Sequence, residues 1–401
     1  MRDFFYGQVN LLLKRHELLK VSINQRLSSL PDRQQENRKF YANFLVRRER
    51  TIRSLLQDRN LGVEKVLLHQ IIRYRQCIQR MILFEQDPAS VLYHFSEKDK
   101  YLCSLLNRLC LQIHYSCPNP VVCAQSNHSF YSQPHFNLIY SNVLEDEFLL
   151  ASPDLVHELG HLFYHWYRSE KIFEPFLDSL HQYFEQLRFE QAQKLKRRKH
   201  FSRYLQQLRS RLSNAPLPKE YNFNSLERAW IEHYKEEFAC DIFATYLVGP
   251  AYGWSHLRLL LGDKVGLYLP SIDHPGTHPA NEARMRGILL VLARLADNSV
   301  LGSRLSQQWD EYTQTMWRVT RTDSPDEGYT YCYDDKVLEQ LVDIVINSCK
   351  NKGLVPYYEQ PAGDSNNIAS VMQMAWRSFL RDPANYGQWE TNMIQYLKSS
   401  L

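Results

Sequence analysis

The sequence predicts a mostly helical α+β chain with one small sheet. Three observations predict it. Apolar residues recur at helical spacing through the first ~115 residues, and the last ~70 read as a smaller helical unit. Short β-rich runs cluster between Cys117 and Tyr140. Those runs lead directly into a helix that carries His157, Glu158 and His161 in the order H-E-x-x-H.

The whole chain sets the bounds. With 401 residues and 44% hydrophobic content it can bury a sizeable core in two or three domains. A net charge of +4 does not by itself imply a polyanionic partner. No run reaches the ~18 consecutive apolar residues a membrane span needs. The start, MRDFFYGQVNLLLKRHELLK, carries charges through its apolar part and does not read as a signal peptide. Eight scattered cysteines with no C-x-x-C pair fit free thiols in a reducing compartment, so the expected location is the cytoplasm.

Three domains are expected. Residues 1–116 read as a helical bundle. Leu11, Leu12, Leu18, Leu19, Val21, Ile23 and Leu27 mark its first helix, which Pro31 ends; Asp32 suits the cap of a second. Further helices are expected over Val66–Phe84 and about Lys98–Ile113. Residues 1–87 hold 17 Lys/Arg against 9 Asp/Glu. Such cationic faces read first as solvated surface and second as a surface for an acidic partner or nucleic acid.

A central domain is expected over 117–319. Val121-Val122-Cys123 and Phe136–Tyr140 read as short strands. Ser152-Pro153-Asp154 follows, with Ser152 suited to cap a helix and Pro153 to its first position. A basic helical insertion occupies about 182–220; residues 191–211 hold 8 Lys/Arg and no acid. Its aromatic content is thin, so a stacking platform for single-stranded nucleic acid is not evident. Asn214–Pro218 is a break. A helix is expected from about Ser225 to Leu247, stopped by Gly249-Pro250. The loop Asp273–Pro279 precedes another helix over Ala280–Ala296. After a linker at 321–328, residues 320–401 form a small helical region with a loop at Glu359–Asn367.

The chemistry centres on His157-Glu158-Leu159-Gly160-His161. Four residues apart on a helix, two imidazoles share one face and can share one ion. Glu158 projects beside them, placed to act as general base rather than ligand. Random order predicts on the order of 0.03 such matches in this chain. A third ligand therefore decides. The H-E-x-x-H-x-x-G-x-x-H option fails, because Tyr164 and Tyr167 stand where Gly and His are needed. His165 reads as a flanking helix residue. A later helix offers HYKEEFACDIFATYLVGP. There Glu237 can reach the ion, and Asp241, one turn on, can hold the rear nitrogen of a ligand histidine. Glu236 is the rival ligand, but its i+4 partner is Cys240, read as a small buried residue.

H157-E-L-G-H161 followed by E237-F-A-C-D241 resembles the HExxH…ExxxD pattern of gluzincin-type zinc metallopeptidases. The likeness is nearest to the CAAX-prenyl-protease and HtpX-like group. Thr277-His278-Pro279 with Arg284 resembles that group's downstream THPxxxxR element. The three pieces span about residues 118–295. The resemblance implies a zincin-like core, one Zn2+ per chain, and a sheet whose edge strand binds an extended peptide; Phe136–Tyr140 is the candidate strand. Unlike many members, this chain has no membrane span, and it carries the basic insertion.

The expected function is a zinc metalloendopeptidase acting on protein or peptide substrates. Glu158 is its expected general base, and His278 a donor to charge developing on the carbonyl oxygen. Arg284 is expected to orient His278 or a carboxylate such as Asp241. The rival reading is a catalytically silent interaction protein that uses its basic helices to bind a regulatory partner or nucleic acid. The intact Glu158 argues against it, since structural zinc sites are closed by four ligands and need no base.

Overall fold

The computed structural model describes residues 2–27, 35–57, 64–84, 91, 96–126, 130–142, 149–208, 221–262, 267–268, 276–320 and 327–400. The described chain is mostly helical with one three-stranded sheet. It divides into two compact units: Met1–Phe148 with Glu390–Leu401, and Leu149–Trp389. No described helix is long and apolar enough to cross a membrane.

The first unit opens with α1 (Arg2–Leu27), α2 (Gln35–Ser54) and α3 (Glu64–Phe84). Val9 and Leu12 from α1, Ile52 from α2, Leu55 just beyond it, and Cys77 and Met81 from α3 close one apolar cluster. Each such side chain contributes roughly 1.5–3 kcal/mol on burial. On its partly exposed flank Lys20 and Arg53 both reach Glu49. Helix α4 (Glu97–Gln112) starts at a capping box: Ser96 accepts from the Asp99 amide while Asp99 accepts from the Ser96 amide.

The sheet consists of β1 (Val121–Ser126), β2 (Tyr131–Gln133) and β3 (Leu138–Asn142). The strand order is β1-β3-β2, with β1 parallel and β2 antiparallel to β3. This corrects one expectation: Phe136–Tyr140 is not an edge strand. Pro134–Phe136 is a helical turn, and Asn137 takes a left-handed conformation (φ 53°) that folds β2 back onto β3. The Asn137 amide holds that corner by donating to Asn37 and to the Asn119 carbonyl. Leu138–Tyr140 thus run down the middle of the sheet, fully paired. The sheet groups with the preceding helices because Val122 and Cys103 exchange hydrogen bonds and Tyr41 donates to the Phe136 carbonyl.

The second unit is built around a buried pair. Helix α5 (Ser152–Trp166) carries the H-E-x-x-H residues and packs on α8 (Lys235–Val248). Between them in sequence lie the long α6 (Glu174–Leu208) and the short α7 (Phe223–Ala229). The basic run continues as helix to Leu208; residues 209–220, with the expected break, lie outside the described residues. α9 (Pro250–Gly262), α10 (Asn281–Arg294), α11 (Val300–Thr320), α12 (Glu327–Cys332), α13 (Asp335–Asn351) and α14 (Ile368–Arg381) complete the unit. The last helix, α15 (Tyr386–Ser400), begins here and continues into the first unit.

Every α8 side chain from Phe238 to Val248 is buried, which marks a central helix covered on all sides. The 327–389 segment supplies part of that cover. Trp230 donates to the Cys332 carbonyl, Tyr246 to the Leu354 carbonyl, and the Ala280 amide to Tyr333 Oη. The compact units are therefore drawn differently from the three domains expected at 1–116, 117–319 and 320–401. The α8 stop is as expected: Gly249 has φ +62°, and a side chain there would strike the Tyr357 ring.

Two local readings change. Ser152 does not cap α5. Ala151 occupies the N-cap without a side-chain bond, and Ser152 Oγ turns back to donate to the Leu149 carbonyl at 2.6 Å. The expected single helix Ser225–Leu247 is α7 and α8 joined by a π-helical turn, Trp230–Tyr234. Such a widened turn adds a residue and shifts the faces that follow. Here it ends at the residue before Lys235, just ahead of Glu236 and Glu237. The 321–328 linker lies outside the described residues to 326, and Glu327 and Gly328 open α12.

Candidate metal centre

His157 and His161 stand one turn apart on α5, with ring centroids 5.1 Å apart and planes at 79°. His157 and Glu158 are both only 7% exposed. Ligand atoms of His157, Glu158 and His161 all lie within 4.8 Å of one another.

The facing helix brings its carboxylates in two distinct ways. Glu237 aims one oxygen at each histidine: Oε2 lies 3.7 Å from His157 Nε2, and Oε1 lies 3.5 Å from His161 Nε2. Both Nε2 atoms therefore look toward one carboxylate across a gap too long for strong hydrogen bonds. Glu236 does something else. Its Oε1 lies 3.2 Å from His161 Nδ1, on the rear of the ring. Glu236 thus lies at the rear of His161 and Glu237 at its front.

The rear of His157 is held by three elements at once. Asp241 Oδ1 lies 2.9 Å from Nδ1, and Tyr252 Oη on α9 lies 3.0 Å from the same atom. Tyr252 also donates to Asp241 Oδ1. From α10, Arg284 forks onto Asp241 with Nε–Oδ2 2.8 Å and Nη2–Oδ1 2.7 Å. Two acceptor oxygens at Nδ1 fix its proton there and leave the Nε2 lone pair forward. Of the two roles expected for Arg284, the pairing with Asp241 is the one present. Its Nη2 also comes within 3.9 Å of Glu237.

The charges follow this geometry. Burial alone would lower the His157 pKa, but Asp241 and Glu237 outweigh it and raise it to about 10. Burial would push Glu237 up, yet His157 and Arg284 bring it down to about 2. Asp241, only 1% exposed, is held below its ordinary range by Arg284 and His157 despite burial. A cation at Nε2 competes with a proton for the same lone pair.

His278 sits in the Gly276–Pro279 segment; residues 273–275 of that loop are outside the described residues. Its Nε2 lies 3.8 Å from Glu237 Oε1, and its ring is 66% exposed. Cys240 is fully buried against Gly160 of α5. His165 lines a neighbouring cavity instead.

Two residues here were not found from the sequence. Tyr252 and His256 stand one turn apart on α9. His256 is 2% exposed, its Nε2 has no hydrogen-bond partner, and burial lowers its pKa to about 3. Both follow the Gly249-Pro250 break, and nothing in their spacing ties them to the H-E-x-x-H helix.

Comparison with protein-family models, curated proteins and solved structures returns no match.

Proposed function

We infer that this chain is a zinc-dependent metalloendopeptidase whose zincin-like core is formed by α5, α8 and α10. One observation carries the reading: two histidine Nε2 atoms face a single carboxylate, while each rear Nδ1 is separately occupied by a carboxylate. Two imidazole nitrogens and one carboxylate oxygen form the donor set of catalytic zinc, which keeps a fourth position open. The residues fit the ion: His157, His161 and Glu237 would hold it, with Asp241, Tyr252 and Glu236 fixing the two rings. When bound, such an ion polarises a carbonyl and lowers the pKa of water.

The chain's own residues supply the rest. Glu158, buried beside the two histidines, takes the proton from the attacking water and returns it to the leaving amine. His278, at the exposed rim and next to Glu237, donates to charge developing on the carbonyl oxygen. Eight free, buried thiols support a reducing compartment such as the cytoplasm. The basic helices remain available for a regulatory partner.

The test replaces Glu158 by Gln and follows hydrolysis of an unbiased peptide mixture by mass spectrometry. The variant should keep its zinc and lose roughly 10²–10⁴-fold in rate. Cleavage at the wild-type rate would refute the assignment.

A further inference from the structure

The second unit holds a cavity of about 450 Å3 beside the metal centre, with Glu236 in its wall. Its link to the metal centre is Glu236, which lines the cavity and bonds His161 Nδ1. Tyr164 stands less than one turn beyond His161 on α5, so the wall continues the ligand face of that helix. Tyr164 and Phe173 meet at 5.2 Å between ring centroids, and with Tyr167 they make an aromatic lining.

The charged lining is unbalanced. Of its two acids, Glu174 is paired with Lys171, and Glu236 is committed to His161. Arg168 and Lys235 remain. Neither has a carboxylate within ion-pair distance among the described residues. Lys235 is the more telling, because it is half-buried and its ammonium donates to the Ile231 carbonyl. Half-burial takes water from this ammonium, and no described carboxylate within ion-pair distance replaces it. A ligand carboxylate would relieve that loss.

We propose that this cavity is a specificity pocket for an acidic side chain, Glu or Asp, on a substrate residue next to the scissile bond. Its aromatic lining takes the methylene stem and Arg168 and Lys235 take the carboxylate. The separation suits that place. One imidazole ring and one hydrogen bond lie between Glu236 and the front of His161, which is within reach of a residue one or two positions away at about 3.8 Å per Cα step. The volume exceeds one acidic side chain and leaves room for ordered water.

This rests on the hydrolase reading, so the experiment separates the two. Acetylated, amidated peptides differing only by Glu or Gln beside the cleaved bond are compared for cleavage. The same pair is compared for binding to the Glu158→Gln protein by calorimetry. The Glu peptide should be preferred about tenfold in both, less at high salt. Arg168→Ala, checked for wild-type thermal unfolding, should bring the ratio near one, and Lys235→Glu should turn the preference toward Lys. Equal treatment of Glu and Gln, or an Arg168→Ala ratio unchanged from wild type, would overturn the pocket. So would a preference that appears only when a neutral peptide ends in a free carboxylate, which assigns the cations to a chain terminus. Peptides that bind with the Glu preference but are never cleaved would sink the hydrolase reading and leave the pocket standing.

Discussion

Gly160 and Cys240 touch where α5 crosses α8: a methyl group on Gly160 would lie 3.1 Å from Cys240 Cα and 3.2 Å from its Cβ and Sγ. The glycine inside H-E-L-G-H and the cysteine inside E-F-A-C-D are the two small residues that let these helices approach. His157 and His161 ride on one helix and Glu237 on the other, so this contact sets their separation. Gly160→Val should cost roughly 1–3 kcal/mol through overpacking and should weaken zinc binding with it. Thermal unfolding and a zinc titration measure the two effects. A variant with wild-type zinc affinity would show that the crossing does not set the ligand spacing.

Tyr252 offers a gentler probe of the hold on His157. Removing Asp241 would leave the Arg284 guanidinium buried without its acid, a loss of about 3–5 kcal/mol that confuses metal binding with folding. Tyr252→Phe removes one hydroxyl and leaves Asp241 on both Arg284 and His157. Zinc affinity should fall roughly tenfold, at the low end for partners that orient ligands. Stability should fall by only about 0.5–1.5 kcal/mol. An unchanged affinity in a competition assay with a chelator would remove Tyr252 from the site.

Much of this centre was legible because its parts are local. The i, i+4 spacing of His157 and His161 and of Glu237 and Asp241 fixes shared faces before any tertiary contact is known. Expecting Glu237 rather than Glu236 as front ligand follows from the Asp241 phase; the two carboxylates lie on opposite sides of His161. Tyr252 was not legible, because its role depends on how α9 turns back after Gly249. The edge assignment of Phe136–Tyr140 failed for a similar reason. A strand's place in a sheet is decided by its partners, and the left-handed Asn137 corner that creates one of them leaves little trace in a residue pattern. The π-helical turn at Trp230–Tyr234 is silent in the apolar periodicity on either side of it.

His256 predicts a pH effect on folding. Its folded pKa is about 3 against an ordinary 6.5, so below pH 6.5 the unfolded chain binds a proton that the folded chain does not. Stability from this group is complete above pH 6.5 and is lost as pH falls toward about 3, by on the order of 1.4 kcal/mol per pH unit within that window. Urea unfolding of wild type and His256→Gln between pH 6.5 and 4.5 isolates it. The variant should show the shallower decline. Parallel curves would mean that His256 takes up a proton in the folded protein.

The proposed site holds one divalent cation on His157, His161 and Glu237, and metal stoichiometry checks it. Elemental analysis of gently purified protein should give about one zinc per chain. His157→Ala should bring it below roughly 0.2 while the protein stays folded. Wild-type protein that carries less than about 0.2 zinc per chain and takes up none on addition would contradict the account.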